Sequence, residues 1–360
     1  MNDHYYMKLA LNLAMSTNGQ TTPNPAVGAV IVKNNQIVGM GAHLKAGEPH
    51  AEVHAIRMAG DHAKGATMYV TLEPCCHFGK TPPCADLVIK SGVKRVVIAM
   101  ADPNPKISGK GIERLQDAGL QVEVGVLSED ASQINQVFTH FIQTGLPFVT
   151  LKSAISLDGK IATEEGKSKW ITSSEAREDV HYFRHTHDAI LVGVNTIIKD
   201  NPSLTTRQAG GGKSPVRFIL DTNLRTPIDS KIVSDGLVET WIVTGSNVKK
   251  EKMDLYKNRN VHFLQMDSPK IEIKTLLKEM ATMGITSLFV EGGAEVLGSF
   301  LKERAFQQVI TYIAPKLIGG RMAPTSFAGE GISEIHEALE LEINEVKKIG
   351  SNIRIISKAM

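Results

Sequence analysis

Apolar and polar positions alternate in two successive regimes along the chain. Up to about residue 145, short apolar runs with strand character, "AVGAVIV", "TMYVTLEP", "RVVIAMADP" and "VEVGVL", are separated by stretches with helical spacing such as "EVHAIRMAG" and "GIERLQDAG". That order predicts an α/β domain. Beyond Gly145 and Pro147 a second strand series begins with "FVTLKSAIS" and continues through "AILVGVN", "VRFILD", "TWIVTG", "LFVEGG" and "QVITYIAPKLI". Helices are expected near "SSEAREDVHYFRH" and "IEIKTLLKEMATMG", and the closing "ALELEINEVKKIGSNIRIIS" has the pattern of a hairpin, which makes the second sheet mixed. The expected division is therefore residues 1–145 and 146–360, joined through the short "TGLPF". No repeat of fixed period interrupts this reading.

Composition narrows the partners. The 360 residues carry 40 Lys and Arg against 38 Asp and Glu, a formal net charge of +2, so no charge asymmetry advertises nucleic acid or an anionic membrane. Small-molecule chemistry is expected instead. "MNDHYYMKLALNLAMS" mixes polar and charged groups into an amphipathic pattern, unlike a signal peptide or a membrane span, and points to a reducing cytoplasm.

The cysteines give the chemistry. All three fall in "EPCCHFGKTPPC", residues 73–84, too concentrated for a disulfide framework and suited to a metal or a reactive thiol. A partner is offered by "PHAEVHA". His50 and Glu52 lie about 200° apart on a regular helix, so they converge only where a helix is starting, and Pro49 favours such a start. His50 and His54 would share a helical face as in zinc proteases, but the glutamate stands one place too late for that pattern. Cys76 and His77 remain rival ligands by position.

H-x-E followed by E-P-C and a distant cysteine resembles the zinc nucleobase deaminases, in which one histidine and two cysteines hold zinc and a glutamate shuttles protons. Eight residues separate Cys75 from Cys84 where two are usual; this long insert resembles the deaminase half of the riboflavin-biosynthesis enzymes. The resemblance implies His50, Cys75 and Cys84 as zinc ligands and Glu52 as the catalytic acid and base. Asn24, His43 and Lys80 are candidate substrate contacts, and "ADPNPK" is a candidate pocket wall.

In the second half, "GGGKS" fails as a phosphate loop, because Arg207 occupies the place of its first glycine and a strand follows where a helix is required. "SLFVEGGAEVLGSFLKE" is better suited to a nucleotide: a strand ends at Glu291, two glycines open the backbone, and a helix then starts. "SAISLDGKIA", "SKWITS", "VGVNTIIKDNPSLTTR" and "VEGGAEVLGSF" occur in the order seen in the reductase half of the same enzymes, a domain similar to dihydrofolate reductase. The resemblance spans the chain. It implies a cytidine-deaminase-like three-layer α/β/α domain followed by a dihydrofolate-reductase-like α/β domain. The implied activity is hydrolytic deamination of a phosphoribosylaminopyrimidine, then NADPH-dependent reduction of its ribosyl chain.

Carried onto these motifs, NADPH falls against Ala154, Trp170, Thr196, Asp200, Thr222 and the segment Gly293, Ala294, Glu295, Val296, Leu297, Gly298 and Ser299. The sugar-phosphate substrate falls against Ser168, Arg184, Leu204, Arg207 and Glu291, with Lys152 beside the reacting sugar. Arg184 and Arg207 are expected to grip a phosphate with forked donors, and Glu291 to bind ribose hydroxyls. A homo-oligomer is expected. The alternative function class is a nucleic-acid base deaminase with an accessory binding domain, which zinc chemistry alone permits.

Overall fold

A computed structural model describes residues 2–76, 82–257 and 259–360. The chain divides into two compact units, Met1–Gly145 and Leu146–Met360. Helix Gln136–Thr144 ends on Gly145, whose φ of 71° is the left-handed conformation that glycine adopts without a Cβ clash.

The first unit is built on a five-stranded sheet of β1 (Gly28–Lys33), β2 (Gln36–Ala42), β3 (Thr67–Val70), β4 (Arg95–Ile98) and β5 (Gln121–Val124), in the order β2-β1-β3-β4-β5. β1 runs antiparallel to both neighbours, and β3, β4 and β5 are parallel. Because strand side chains alternate in direction, Val30 and Val32 face helix Asp3–Met15, packing with Met7, Ala10 and Leu11. Ala29 and Ile31 face the opposite layer with Ala51, Ala55, Ala85 and Val88. Three layers result, α/β/α, and strands buried on both faces explain the near-continuous apolar runs in the sequence. Helix Ala51–Ala59 lies close on β2 because Gly41 lacks a side chain: a Cβ there would stand 2.5 Å from the Ala51 carbonyl.

The second unit holds nine strands: β6 (Phe148–Ser156), β7 (Ala189–Gly193), β8 (Val216–Leu220), β9 (Thr240–Thr244), β10 (Val261–Gln265), β11 (Ser287–Val290), β12 (Gln308–Ala314), β13 (Leu341–Ile349) and β14 (Asn352–Ala359). Their order is β10-β9-β8-β7-β11-β6-β12-β14-β13. The first seven run parallel, and the β13–β14 hairpin adds two antiparallel strands, so the sheet is mixed as the closing sequence pattern predicts. One apolar cluster covers each face, one around Leu276, Leu288 and Phe300, the other around Phe183, Ile219 and Tyr312. Among the described residues, no helix is long and apolar enough to cross a membrane.

Candidate active sites in the two units

In the first unit, β3 ends at Val70 and the chain runs past Leu72 and Glu73 to Cys75, at the carboxyl edge of the sheet. Helix Ala51–Ala59 starts at the same edge with His50 as its N-cap residue, which puts His50 and Glu52 on one side of the helix start. Cys84 opens helix Cys84–Lys90. His50 Nδ1 lies 3.2 Å from Cys84 Sγ and 3.6 Å from Cys75 Sγ. Two ligands of a tetrahedral zinc with bonds of 2.0–2.3 Å stand about 3.6 Å apart, so the two distances from His50 are of the size such an ion requires. They form a compact N/S group within 4.8 Å, and neither His54 nor Cys76 joins it. His77 and Lys80 lie outside the described residues.

The electrostatics suit the same ion. Cys75 is pulled down to about 4, first by its hydrogen bond with Cys84 and further by His50, while the Cys84 thiol is pushed up in the same sharing of a proton. A dication bound in place of that proton would hold both as thiolates. Glu52 is 3% exposed, and burial pushes its carboxyl up to about 7. Its Oε2 is buried and has no hydrogen-bond partner, a costly state for a polar atom unless a ligand meets it.

Asn24 and His43 line the same cavity, of about 470 Å³, together with Glu52, Leu72, Asp102 and Asn104. The Pro49 carbonyl can only accept, so His43 Nδ1 carries the proton toward it at 3.2 Å. His43 Nε2 therefore accepts from the Asn24 side-chain amide at 3.1 Å, and the carbonyl of Asn24 is the end left for a ligand. Burial holds His43 below its ordinary pKa, consistent with a neutral ring. Phe138 and Ile142, from the helix that closes the first unit, complete the apolar wall. No local motif marked them, because that helix is far in sequence from the metal-ligand pattern.

The second unit carries two adjoining cavities with a common wall that includes Lys152, Ala154, Ser168, Thr196, Asp200 and Glu291. One extends along Thr222 and residues 292–297, the other along Arg184, Leu204 and Arg207. Within the expected cofactor segment, Gly293 through Leu297 line the first cavity. Gly298 is instead packed so that a Cβ would stand 1.9 Å from the Ala328 carbonyl, and the Ser299 hydroxyl donates to the Glu295 carbonyl at 2.9 Å. Trp170 lines the second cavity, under the Arg177 guanidinium at 4.3 Å.

Arg184 and Arg207 line the same cavity but are not equivalent. Arg184 donates from Nε and Nη2 to the two oxygens of Glu291 at 2.6 and 3.0 Å, and from Nη1 to the Thr205 carbonyl at 3.0 Å. Three of its five N–H groups are thus engaged inside the protein. Arg207 is exposed, and its guanidinium contact is a long one, 3.4 Å to Thr205 Oγ1. Burial alone would raise Glu291, but the Arg184 charge outweighs it and keeps the carboxylate ionised. Lys152 Nζ stands 4.0 Å from Glu291, and burial lowers the lysine below its ordinary pKa. His181, held down to about 4 by burial and then by the charges of Arg184 and Arg207, accepts the Arg207 backbone N–H at 3.3 Å. Sequence reading missed His181 and Arg225, since one solitary histidine and one solitary arginine carry no pattern. Arg225 lines the cavity with Thr222 and donates to Asn195 at 3.0 Å.

Comparison with known proteins agrees in both halves. A family model described as RibD C-terminal domain matches residues 147–355. One described as cytidine and deoxycytidylate deaminase zinc-binding region matches residues 1–100. The riboflavin biosynthesis protein RibD of Bacillus amyloliquefaciens is 51% identical over 98% of this chain and 95% of its own length. A solved structure of Acinetobacter baumannii RibD superposes with a TM-score of 0.88 at 39% identity, covering 99% of both chains. A Thermotoga maritima structure described as a diaminohydroxyphosphoribosylaminopyrimidine deaminase/5-amino-6-(5-phosphoribosylamino)uracil reductase gives 0.87 at 36% identity, again over 99% of both.

Proposed function

The chain belongs to the RibD family of riboflavin-biosynthesis proteins, and from that premise we propose how its two units divide the family's work. The protein is a bifunctional deaminase and reductase. Residues 1–145 hydrolyse the amino group of 2,5-diamino-6-(5-phosphoribosylamino)pyrimidin-4-one, giving ammonia and 5-amino-6-(5-phosphoribosylamino)uracil. Residues 146–360 then reduce the ribosyl chain of that product to 5-amino-6-(5-phosphoribitylamino)uracil. This reading replaces the alternative of a nucleic-acid base deaminase.

The observation that carries the first step is Glu52, a buried carboxyl with one orphaned oxygen beside the His50, Cys75 and Cys84 group. Zinc held by those three residues supplies Lewis acidity toward water. Glu52, whose carboxyl burial pushes up from its ordinary range, takes a proton from the attacking water and returns it to the departing amine as general base and then general acid. Asn24 offers its carbonyl to a ring or amine N–H. The apolar side chains of Leu72, Phe138 and Ile142 keep bulk water from the ring.

For the second step, NADPH supplies the hydride. The chain binds and orients: Glu291, fixed by Arg184, accepts from sugar hydroxyls, Lys152 donates to a sugar oxygen, and Arg207 takes the 5-phosphate. The cofactor lies along residues 293–297 and Thr222, with Arg225 meeting its additional phosphate. A second copy of the chain pairs at the exposed edge of β13, where Ile343 and Val346 are each 62% exposed. The enzyme works in the cytoplasm, where its three cysteines stay free of disulfides.

The decisive experiment offers the diaminopyrimidine phosphate to the purified full chain and follows ammonia release and NADPH oxidation together. Ammonia is expected without NADPH, and NADPH oxidation only after deamination. Failure to release ammonia from a zinc-loaded chain would refute the first assignment.

A further inference from the structure

The turn that delivers Cys75 also carries Glu73, a carboxylate to which the chemistry above gives no task. Glu73 is 4% exposed, and its own N–H donates to the Met100 carbonyl just beyond β4 at 3.0 Å. Its side chain accepts four backbone N–H groups. Oε2 takes those of Asp102 and Gly109, both at 3.0 Å, and Oε1 takes those of Gly111 at 2.8 Å and Ile112 at 3.3 Å.

These donors stand at the two ends of one loop, residues 102–109, and in the first turn of helix Lys110–Asp117. That helix has Gly109 at its N-cap position and no side-chain cap of its own. The carboxylate of Glu73 therefore supplies from a distant turn what a local Ser or Asp ordinarily provides, at the end of the helix that favours negative charge. The approach leaves no room for a side chain: a Cβ on Gly111 would stand 2.2 Å from the Pro74 carbonyl and 3.1 Å from Glu73 Oε1.

Between its clamped ends the loop folds on itself. Asp102 Oδ1 accepts the Asn104 N–H at 2.8 Å, and Asn104 Oδ1 accepts the Lys106 N–H at 3.1 Å. Asp102, Asn104 and Ile107 then form the wall of the cavity that holds Glu52. Such turns shape a loop locally but do not fix where it sits relative to the metal-ligand turn; the four bonds to Glu73 do. We infer that Glu73 is a positioning residue for deamination, registering the Asp102–Asn104 wall against the Cys75 turn so that the pyrimidine meets both in one geometry. The inference rests on the deaminase assignment above. A misplacement of about 1 Å at such a wall is enough to weaken substrate alignment.

The test uses the full chain with Glu73→Gln, which turns an amide NH2 toward the four donors, and separately Gly111→Ala, which pushes the helix start off the carboxylate. Measurements are bound zinc, KM and kcat for ammonia release, NADPH-dependent reduction of the deaminated intermediate, and amide hydrogen exchange across residues 101–112. The expected result is faster exchange in that segment and a KM raised at least about tenfold. Reduction should be unchanged in both variants, and in Glu73→Gln zinc should be unchanged and kcat should stay within about threefold. Faster exchange with an unaltered KM would overturn the inference, leaving Glu73 a helix cap only. Loss of zinc from Glu73→Gln would overturn it as well, assigning Glu73 to the metal turn. A wild-type chain that released no ammonia would instead sink the deaminase assignment, and the exchange comparison would still report whether the carboxylate clamps the loop.

Discussion

Arg184 holds both oxygens of Glu291 with one edge of its guanidinium, 2.6 Å from Nε to one oxygen and 3.0 Å from Nη2 to the other, across 107 positions of sequence. Both side chains are nearly buried, 12% and 10% exposed. Removing one partner of such a pair strands the other's charge. Arg184→Met is expected to destabilise the second unit by about 3–5 kcal/mol and to abolish reduction, with ammonia release retained. Urea unfolding followed by tryptophan fluorescence reports this directly, because both tryptophans, Trp170 and Trp241, belong to that unit.

Metal content separates the three cysteines. Cys75→Ser and Cys84→Ser are each expected to lose zinc, whereas Cys76→Ser keeps one ion per chain, since three protein ligands leave the open position a catalytic zinc requires. Elemental analysis after dialysis decides it; an emptied Cys76→Ser protein would contradict the ligand set. A strong chelator should stop ammonia release by the wild type and leave reduction of the deaminated intermediate intact.

Glu52→Gln keeps the shape of the side chain and removes its proton traffic. Zinc should remain bound while ammonia release falls at least about a hundredfold. Reduction of the deaminated intermediate, supplied directly, should proceed at the wild-type rate. Normal ammonia release by this variant would remove Glu52 from the mechanism.

His187 makes the second unit sensitive to acid. The ring is buried, with hydrogen bonds to the Phe183 carbonyl at 2.7 Å and Thr150 Oγ1 at 3.0 Å, and burial depresses its pKa from 6.5 to about 4. Above pH 6.5 neither state binds the proton and stability is at its full value. Between pH 6.5 and 4 the unfolded chain takes up a proton that the folded ring refuses, so stability falls, by about 3 kcal/mol in all. His187→Gln should reduce the slope in that range, leaving the part that His181, also depressed to about 4, contributes. An unchanged slope in urea midpoints between pH 4 and 6.5 would show that another group carries it.

Two arginines divide the ligands of the second unit. Arg207→Ala is expected to weaken the phosphorylated substrate by about 1.5–3 kcal/mol and to spare NADPH. Arg225→Ala should lower affinity for NADPH, leave NADH binding almost unaltered, and spare the substrate. Calorimetric titration of both variants with all three ligands is the measurement; equal losses across ligands would mean that the cavities are wrongly divided.

The sequence by itself determined the parts that depend on near neighbours. Apolar runs of strand length, interrupted by helical spacing, required two α/β layered units and a closing hairpin, because each run must bury its apolar face locally. The order of His50, Glu52, Cys75 and Cys84 was legible for a related reason: each stands at the end or start of an element, and parallel strands bring such ends to one edge. Tertiary structure alone decided the rest. The pairing of Arg184 with Glu291 is made only in the fold, and nothing in the spacing of residues 107 positions apart encodes that contact. Phe138 and Ile142 reached the deaminase cavity only through folding, as did the four N–H groups gathered by Glu73. Local pattern reports which face of an element is buried. Which distant groups a buried charge must find is settled when the chain is packed, since an unpaired charge or amide in the interior costs more than the order needed to pair it.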